Sequence, residues 1–346
     1  MTESAPVAAI IGASGYGGAE LVRLLLRHPS FVLGSMCAHR RAGEEIAKVI
    51  PSLRGIVEGE LLPIRPDTLE CDLAFLALPH GASAPIAAAL RERGKVVIDL
   101  SADFRLTDKA VYEDWYGEHG APAHFGQAVY GLVEFHREAL KTADLIAVPG
   151  CYPTASALAL GPLLEAGLVE SGGLVIDAKS GVSGAGRNPT SATHLPESGG
   201  GIRAYKPANT HRHTPEIEQM LGELAGEPIR LTFTPHLVPM SRGILVTAYA
   251  MAKPGTTQEQ CMAAAKERYG SSPVVDVIDD LPDTNWVRGS ARAHVTYRVD
   301  AHTGRVLAFC TIDNLLKGAA GQALQAANVR YDMGEGTALR DPGAWP

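Results

Sequence analysis

The sequence has little of several features that mark other classes of protein. It has no excess of positive charge, since its 346 residues include 31 lysines and arginines against 38 acidic residues, and this balance argues against a nucleic-acid partner. It has no uninterrupted apolar run of about 18 residues, so we expect no membrane span. Its first residues lack the basic and apolar regions of a secretory signal. These absences predict a cytoplasmic protein with neither a nucleic-acid nor a membrane partner.

Cysteine is scarce and scattered. The five cysteines lie at 37, 71, 151, 261 and 310, and no two have CxxC spacing. An odd, dispersed set is a poor disulfide framework, so we expect reduced thiols, most of them small core residues. No cysteine and histidine cluster has the spacing of a zinc site, and we expect no metal.

Apolar runs alternate with helix-like stretches in the first third of the chain. Runs at 7–11, 31–38, 73–78, 95–100 and 144–148 are separated by such stretches, and this order predicts a doubly wound parallel sheet. After residue 151 the strand-like segments favour a larger, mixed sheet. The stretch 181–209 is rich in glycine, serine, proline and asparagine. A loop of that length inside a compact domain is usually functional or disordered.

A glycine-rich turn, Gly12-Ala-Ser-Gly-Tyr-Gly-Gly18, follows the first apolar run directly and precedes a helical pattern. Glycines at 12, 15 and 18 permit a tight turn and let backbone N–H groups approach a pyrophosphate at the helix N-terminus. We interpret the turn as a dinucleotide site. The alternative is a glycine-rich turn in a fold that binds no nucleotide.

The end of the second predicted strand reads Ala38-His39-Arg40-Arg41, and no carboxylate appears before Glu44. NAD sites usually place an acidic residue here for the ribose hydroxyls, whereas arginine suits a 2′-phosphate. The cofactor prediction is therefore NADP(H). The alternative is a solvated basic pair.

Cys151 lies between a Pro149-Gly150 turn and a helical segment with Pro153 in its first turn. Such a cysteine is near a helix N-terminus, where the positive end of the dipole and the free N–H groups favour a thiolate. The same N–H groups suit an oxyanion formed on attack at a carbonyl. We interpret Cys151 as a nucleophile, against the alternative of a small buried residue.

A thiolate needs a proton partner, and His211-Arg-His-Thr-Pro-Glu216 is the candidate segment. His213 and Glu216 are three residues apart, so the carboxylate is placed to orient the imidazole. Thr214 is expected to cap the helix that follows. An HxH segment is otherwise a solvated pair or part of a metal site.

At this point the chain resembles the N-acetyl-gamma-glutamyl-phosphate reductase family in its long bacterial form, over nearly its whole length. The resemblance rests on nine motifs in order, of which the cysteine signature is the most specific: Gly12-Ala-Ser-Gly-Tyr-Gly-Gly-Ala-Glu-Leu21, Leu78-Pro-His-Gly81, Asp99-Leu-Ser-Ala-Asp-Phe-Arg105, Val129-Tyr-Gly-Leu132, Val148-Pro-Gly-Cys-Tyr-Pro-Thr154, Ser180-Gly-Val-Ser-Gly-Ala-Gly-Arg187, His211-Arg-His-Thr-Pro-Glu216, Pro235-His-Leu-Val-Pro-Met-Ser-Arg-Gly243 and Asp313-Asn-Leu-Leu-Lys-Gly-Ala-Ala320.

The resemblance implies an activity. Cys151 would attack N-acetyl-glutamyl 5-phosphate, a small-molecule acyl phosphate of arginine biosynthesis, and expel phosphate to leave a thioester that NADPH reduces to the semialdehyde. His213, supported by Glu216, would perform the acid/base work, with His211 close to the substrate. The homologous reductase of a carrier-bound aminoadipyl phosphate in lysine biosynthesis is the alternative.

The resemblance also implies binding residues. Cofactor contacts are expected from Gly12, Ser14, Gly15, Tyr16, Gly17, His39, Arg40, Pro79, Ser183, Gly184 and Asn314, and substrate contacts from Arg105, Ser180, Arg187 and Arg242. For the loop 180–187 the alternative is a flexible surface loop. Arg105 and Arg242 have the alternative of structural ion pairs, and Asn314 that of a helix N-cap.

The implied architecture is α/β. A Rossmann-type NADP-binding domain is expected at 1–150, completed by the C-terminal helix within 315–346. An α+β catalytic and dimerisation domain with a mixed sheet is expected at 151–314, in a homodimer or homotetramer. The chain departs from the family at 206–210, where many members have a glycine-rich run, and at Gly289-Ser-Ala291, where Gly-Ser-Asn is more usual.

Two other classes of function fit part of the pattern. A non-redox thiol hydrolase or acyltransferase would use Cys151 and the histidines, but it leaves the glycine-rich turn without a purpose. An NADP-sensing regulator would use the turn, but it has no need of a thiol at a helix N-terminus.

Overall fold

The computed structural model describes residues 5–345. The chain forms two compact units. The first contains the described residues of Met1–Pro149 together with Ala319–Ala338, and the second those of Gly150–Gly318 together with Leu339–Pro346. The segment that returns to the first unit is thus shorter than the expected 315–346, because the last eight residues belong to the second unit.

The first unit is built on a six-stranded sheet in which every neighbouring pair is parallel. Its strand order is β2-β1-β3-β4-β6-β5, and the strands are β1 (Val7–Ile11), β2 (Val32–Cys37), β3 (Leu73–Leu76), β4 (Val96–Asp99), β5 (Val129–Tyr130) and β6 (Leu145–Ala147). Every residue of β3, β4 and β6 is buried. This burial explains why these strands are continuous apolar runs in the sequence.

The chain changes direction across this sheet at β1. β2 pairs with one edge of β1 and β3 with the other, so the loops that follow β1 and β3 leave the sheet at its carboxyl edge on either side of a topological switch point. Ligands of doubly wound sheets bind in the crevice at such a point. The glycine-rich turn follows β1, and Pro79 lies in the loop that follows β3.

Five helices connect these strands: α1 (Tyr16–Leu25), α2 (Ile46–Val49), α3 (Ala84–Glu92), α4 (Lys109–Tyr116) and α5 (Val133–Leu140). The sequence analysis did not predict α4, α5 or the short β5. A signal for α4 is present in Asp108, whose carboxylate accepts the N–H groups of Ala110 and Val111 at the start of the helix.

The second unit has a seven-stranded mixed sheet with the order β11-β12-β13-β10-β7-β9-β8. Its strands are β7 (Leu174–Gly181), β8 (Arg203–Ala204), β9 (Leu231–Val238), β10 (Ile244–Met251), β11 (Val275–Val277), β12 (Ala293–Asp300) and β13 (Arg305–Ile312). The pairs β7–β9 and β11–β12 are parallel and the others antiparallel. The predicted mixed sheet is confirmed.

The helices of the second unit are α6 (Cys151–Glu165), α7 (Leu195–Ser198), α8 (Thr214–Ala225), α9 (Gln258–Tyr269) and α10 (Thr284–Val287). All residues of α6 from 152 to 164 are buried, since this helix packs against α8, α9 and the strands β10 and β13. A helix apolar on every side is a core helix. It gives Cys151, its first residue, a rigid support.

The expected last helix is in two parts. A π-helical turn at Leu316–Ala320 precedes α11 (Gly321–Arg330). Polar side chains of α11 bind the first unit: Gln322 donates to the Gly131 carbonyl (2.7 Å), and the Asn328 side chain hydrogen-bonds to His28 (2.9 Å). The capping prediction for Thr214 is wrong, because His213 holds the N-cap position of α8 and Thr214 is buried in its first turn.

Candidate active site

The thiol lies at the first position of α6, directly after Gly150, which holds the N-cap position in an extended conformation. Cys151 is half-buried, whereas the other four cysteines are buried, and the structure holds all five as thiols. A partly accessible sulfur at the positive end of a helix dipole is in the environment that favours a thiolate. The structure therefore separates Cys151 from the packing cysteines.

Glu216 fixes the main chain beside the thiol. Its Oε1 accepts the Gly150 N–H at 2.8 Å, and the side chain is buried in the first turn of α8. A buried carboxylate that accepts a backbone N–H is a charge-assisted hydrogen bond, about twice as strong as a neutral one. The sequence predicted Glu216 as the partner of His213, and the structure shows this oxygen bound to Gly150.

The two histidines of the HxH segment lie side by side. Their ring centroids are 5.0 Å apart, and Nδ1 of His211 accepts the backbone N–H of His213 at 3.1 Å. Burial, with a further contribution from His213, lowers the pKa of His211 to about 3. His211 is therefore neutral at physiological pH, with its proton on Nε2.

Tyr152 joins the thiol segment to the histidines. Its ring makes edge contacts with His211 and His213, at centroid distances of 5.6 and 5.9 Å. Its hydroxyl is 3.0 Å from that of Tyr205, whose ring also contacts His211. Burial raises the pKa of Tyr205 to about 12, so this phenol stays protonated. Sequence reasoning missed both tyrosines, although Tyr152 lies inside the cysteine signature.

Gly318 is a second missed residue. A Cβ built on Gly318 would lie 2.7 Å from the Cβ of Cys151, which is closer than side-chain carbons approach each other. Gly318 belongs to the π-helical turn, and π turns recur at functional sites. The motif that begins at Asp313 contained this glycine, but its contact joins residues 167 positions apart.

The loop expected near the nicotinamide surrounds Asn314. The Asn314 side chain accepts the Gly243 N–H (2.7 Å) and donates to the Ser183 hydroxyl (3.0 Å). A Cβ on Gly184 would lie 3.2 Å from the buried Ser180 hydroxyl oxygen. Asn314 is not the N-cap of the turn that follows, because the Asp313 carboxylate accepts the N–H groups of residues 315 and 316.

The arginines expected to bind substrate differ in their surroundings. Arg242 makes a two-pronged ion pair with the buried Asp313, at 2.9 and 3.0 Å. Arg105 is buried and donates to the carbonyls of Val148 and Leu100. These are the contacts of the structural alternative, and a substrate role for either residue stays a prediction. Arg187 is exposed.

The loop 206–210 contains three residues with a left-handed backbone: Lys206, Ala208 and Asn209, with φ of 47°, 53° and 60°. Glycine adopts this conformation without strain, whereas lysine and alanine do so at a cost. The family's glycine-rich run therefore corresponds to a backbone conformation that this chain keeps with larger residues.

The glycine-rich turn of the first unit has the geometry of a dinucleotide site. Gly12 has φ +97°, and a Cβ there would lie 2.3 Å from the Ala77 carbonyl oxygen. A Cβ on Gly18 would meet the Gly12 oxygen at the same distance. Gly15 is the N-cap of α1, with no side chain over the first N–H groups. Such a cradle fits a pyrophosphate. Ser14 lies in this turn, and Tyr16 and Gly17 begin the helix.

The residues expected at the two ends of the cofactor are at the surface. His39, Arg40 and Pro79 are exposed. Arg41 forms an ion pair with Glu44 (3.2 Å), whereas no carboxylate of the described residues pairs with Arg40. Of the two arginines, Arg40 is thus the one available to an added anion.

Two searches of residues 5–345 returned nothing. No group of three or more His, Cys, Asp or Glu side chains is arranged to hold a metal ion. No helix in this part of the chain has the length and apolarity needed to cross a bilayer.

Two family models match consecutive parts of the chain. Residues 7–143 match the model described as "Semialdehyde dehydrogenase, NAD binding domain", and residues 151–314 match "Semialdehyde dehydrogenase, dimerisation domain". The predicted Rossmann-type first domain is confirmed, and its cofactor is a nicotinamide dinucleotide.

Solved structures of similar fold are aspartate semialdehyde dehydrogenases. Aspartate semialdehyde dehydrogenase II from Vibrio cholerae superposes with a TM-score of 0.72 at 19% identity, covering 94% of this chain and 98% of that one. The enzyme from Candida albicans, solved with NADP, gives 0.69 at 17% identity, with coverage of 94% and 98%. At such identities the likeness concerns the fold.

Curated relatives are much more similar in sequence. The N-acetyl-gamma-glutamyl-phosphate reductase of Moorella thermoacetica is 46% identical, covering 98% of this chain and 99% of the relative. Those of Symbiobacterium thermophilum and Brevibacillus brevis are each 47% identical, with coverage of 96% and 97%, and of 95% and 96%. With its thiol at a helix start, its glycine cradle and this identity over almost its full length, the chain belongs to the N-acetyl-gamma-glutamyl-phosphate reductase family.

Proposed function

We propose that this protein reduces N-acetyl-glutamyl 5-phosphate with NADPH to N-acetyl-glutamate 5-semialdehyde and phosphate, a step of arginine biosynthesis. The names of relatives at 46–47% identity support the substrate. The observation that carries the proposal is the half-buried Cys151 at the start of α6, in a cluster with His211 and His213. An acyl phosphate is an electrophile that such a thiolate attacks.

The first half-reaction forms a thioester. The Cys151 sulfur bonds to the acyl carbon, the bond from that carbon to the phosphate oxygen breaks, and phosphate leaves with the electron pair. The N–H groups of Cys151 and Tyr152 at the start of α6 are placed to stabilise the developing oxyanion. Glu216 keeps the preceding main chain in position through Gly150.

The second half-reaction reduces the thioester. When bound, the nicotinamide supplies the hydride to the thioester carbon. The bond from that carbon to the sulfur then breaks, the aldehyde forms, and Cys151 is regenerated. We assign proton transfer to His213, because the low pKa of His211 keeps that ring neutral. His211 then acts as a hydrogen-bond donor through Nε2.

The two units divide the binding work. The first unit holds the dinucleotide through Gly12, Ser14, Gly15, Tyr16 and Gly17, with His39 and Pro79 along its length. The second contributes Ser183, Gly184 and Asn314 near the nicotinamide and Ser180 and Arg187 near the substrate. The hydrogen bonds of Asn314 to Ser183 and Gly243 support this grouping.

Arg40 gives the preference for NADP(H) over NAD(H). Its guanidinium is exposed and has no carboxylate partner among the described residues, so it is available to the 2′-phosphate. Arg40→Ala should weaken NADPH binding at least about tenfold and leave NADH binding nearly unchanged. Arg41→Ala is the matched control, since Arg41 is engaged with Glu44. Equal losses in both variants would contradict the assignment.

A second copy of the chain is the proposed partner. The face of the sheet opposite α6 carries half-buried or exposed side chains on paired strands, including Tyr249 opposite Leu307 and Met251 opposite Arg305. They line a depression of about 560 Å³. The match of this unit to a dimerisation domain supports a homodimer through this face. Leu307→Glu should produce monomers in sedimentation velocity, and an unchanged assembly would exclude this face.

The reverse reaction tests the proposed substrate. NADP reduction should require phosphate and should be faster with N-acetyl-glutamate 5-semialdehyde than with its six-carbon homologue. A faster reaction with the homologue would move the assignment to the aminoadipyl pathway. Failure of the protein to alter NADPH fluorescence would favour a thiol hydrolase or acyltransferase. Binding of NADPH without alkylation of Cys151 by iodoacetamide at neutral pH would favour a sensor.

A further inference from the structure

The loop that follows β3 is fixed by a buried carboxylate. This loop, residues 78–81, is here named the proline loop because it contains Pro79. Oδ1 of Asp103 accepts the Gly81 N–H at 2.6 Å. Its Oδ2 accepts the N–H groups of Ser83 and Ala84, at 3.1 and 2.9 Å, where α3 begins. Asp103 has no exposed surface, and one side chain thus ties the loop to the helix that follows it.

The same carboxylate reaches the loop by a second route. The Tyr112 hydroxyl donates to Oδ1 of Asp103 at 3.4 Å, and the Tyr112 ring stacks on Tyr116 with centroids 5.1 Å apart. The Tyr116 ring in turn makes an edge contact with His80 at 5.6 Å. Two successive loop residues, His80 and Gly81, are therefore both held through Asp103.

The position of the proline loop makes this anchor relevant to the cofactor. β3 pairs with β1 at the switch point, and the chain beyond β3 lies against the glycine-rich turn, since the missing Cβ of Gly12 faces the Ala77 carbonyl oxygen. A ligand in the crevice at the carboxyl ends of β1 and β3 is bounded by these two loops.

We propose that Asp103 positions the proline loop and thereby sets the affinity of the first unit for the nicotinamide dinucleotide. This inference rests on the proposed cofactor contact of Pro79. Asp103 itself touches neither cofactor nor substrate in this account, and its effect is transmitted through Gly81 and His80. A carboxylate is required because its two oxygens accept three N–H groups, and an asparagine would turn an NH₂ group toward at least one of them.

The test compares Asp103→Asn with Asp108→Asn. Asp108 caps α4 in the same unit, accepting two N–H groups from an exposed position, so its loss disturbs a helix start without touching the proline loop. Dissociation constants for NADPH are measured by fluorescence titration without acyl phosphate. Amide hydrogen exchange over residues 78–84 is measured on the same proteins without cofactor.

Asp103→Asn should raise the NADPH dissociation constant about tenfold and accelerate exchange of the 81, 83 and 84 amides. Asp108→Asn should change neither, and iodoacetamide should alkylate Cys151 at the wild-type rate in both. An unchanged dissociation constant in Asp103→Asn, or an equal rise in both variants, overturns the inference.

Two further variants cover the case in which Asp103→Asn does not fold. Tyr112→Phe removes one hydroxyl, and Tyr116→Leu removes the ring that contacts His80, while both leave Asp103 in place. Each should raise the dissociation constant about two- to fivefold, and no rise in either overturns the inference. A wild-type protein that does not bind NADPH contradicts the proposed function, whereas wild-type binding with unaltered variants contradicts this inference alone.

Discussion

Two helix starts in this protein are built on the same local plan and serve different chemistry. The glycine end, residues 12–16, leads from β1 into α1, and the thiol end, residues 150–152, leads into α6. In both, a glycine in extended conformation holds the N-cap position, and no side chain caps the helix. A helix N-terminus left open in this way attracts negative charge, whether a phosphate or a thiolate.

The two ends differ in what surrounds them. The glycine end achieves its shape by lacking side chains, as the positive φ of Gly12 shows, and α1 buries only one face. The thiol end carries a reactive side chain on a helix that is buried on all sides, with Glu216 on the Gly150 N–H and Gly318 against the Cys151 Cβ. A site for a dissociable ligand needs open space, whereas a nucleophile needs fixed neighbours.

The largest effect should come from removing the nucleophile. Cys151→Ser should lower the rate of acyl-phosphate reduction about a thousandfold or more, because a serine hydroxyl is not ionised at neutral pH. Its dissociation constant for NADPH should stay within about twofold of wild type, which would show that the two ends act separately. Turnover near the wild-type rate would remove the covalent route.

The next effect concerns the glycine end. Gly12→Ala should lower stability by roughly 3 kcal/mol or more, because the new Cβ meets the Ala77 oxygen at a positive φ, and it should abolish NADPH binding. Gly17→Ala is the control, since its Cβ would have its nearest neighbour at 3.9 Å. Thermal midpoints and NADPH titrations of both variants are the measurements. Equal behaviour would show that the cradle is not what binds the cofactor.

The histidines beside the thiol end predict a dependence of stability on pH. Because the folded pKa of His211, about 3, lies below the unfolded value of about 6.5, its contribution is complete above pH 6.5 and is lost as the pH falls toward 3. Between pH 7 and pH 4 this amounts to about 3 kcal/mol. Urea unfolding at the two pH values should show a smaller difference in His211→Gln than in wild type or in the exposed control His302→Gln.

A smaller effect is expected at the glycine that touches the thiol. Gly318→Ala should displace Cys151 and lower both its alkylation rate and kcat by about tenfold to a hundredfold, with NADPH binding retained. Gly172→Ala, in the same unit, is the control because its Cβ would have no neighbour within 4 Å. Wild-type alkylation in Gly318→Ala would mean that the turn yields without moving the sulfur.

The smallest effect comes from the loop beside His211. Ala208→Gly should raise stability by up to about 1 kcal/mol, because glycine adopts φ near +53° without strain. Ala204→Gly, in the strand β8, should lower stability by a similar amount. Thermal midpoints of the two variants should therefore shift in opposite directions, and a downward shift in Ala208→Gly would show that the loop is not strained.

How much of each end was readable from the sequence follows from how local it is. The glycine end was predicted almost completely, since the strand, the glycines and the helix are consecutive and each glycine answers a local demand of backbone geometry. The thiol end was predicted only as far as the turn, the cysteine and the helix. Glu216 was assigned to His213 from their spacing of three residues, and the structure shows its Oε1 on Gly150, 66 positions away.

The amino-acid sequence by itself determined the α/β class, the two sheets, the dinucleotide turn and the candidate nucleophile, because these depend on periodicity and on short consecutive motifs. Only the tertiary structure decided that Gly318 lies against Cys151, that Tyr152 contacts both histidines, and that Asp103 holds Gly81. Each of these contacts joins separate elements of one unit. Their meeting is set by how helices and strands pack around a buried core, and no local pattern in the sequence encodes it.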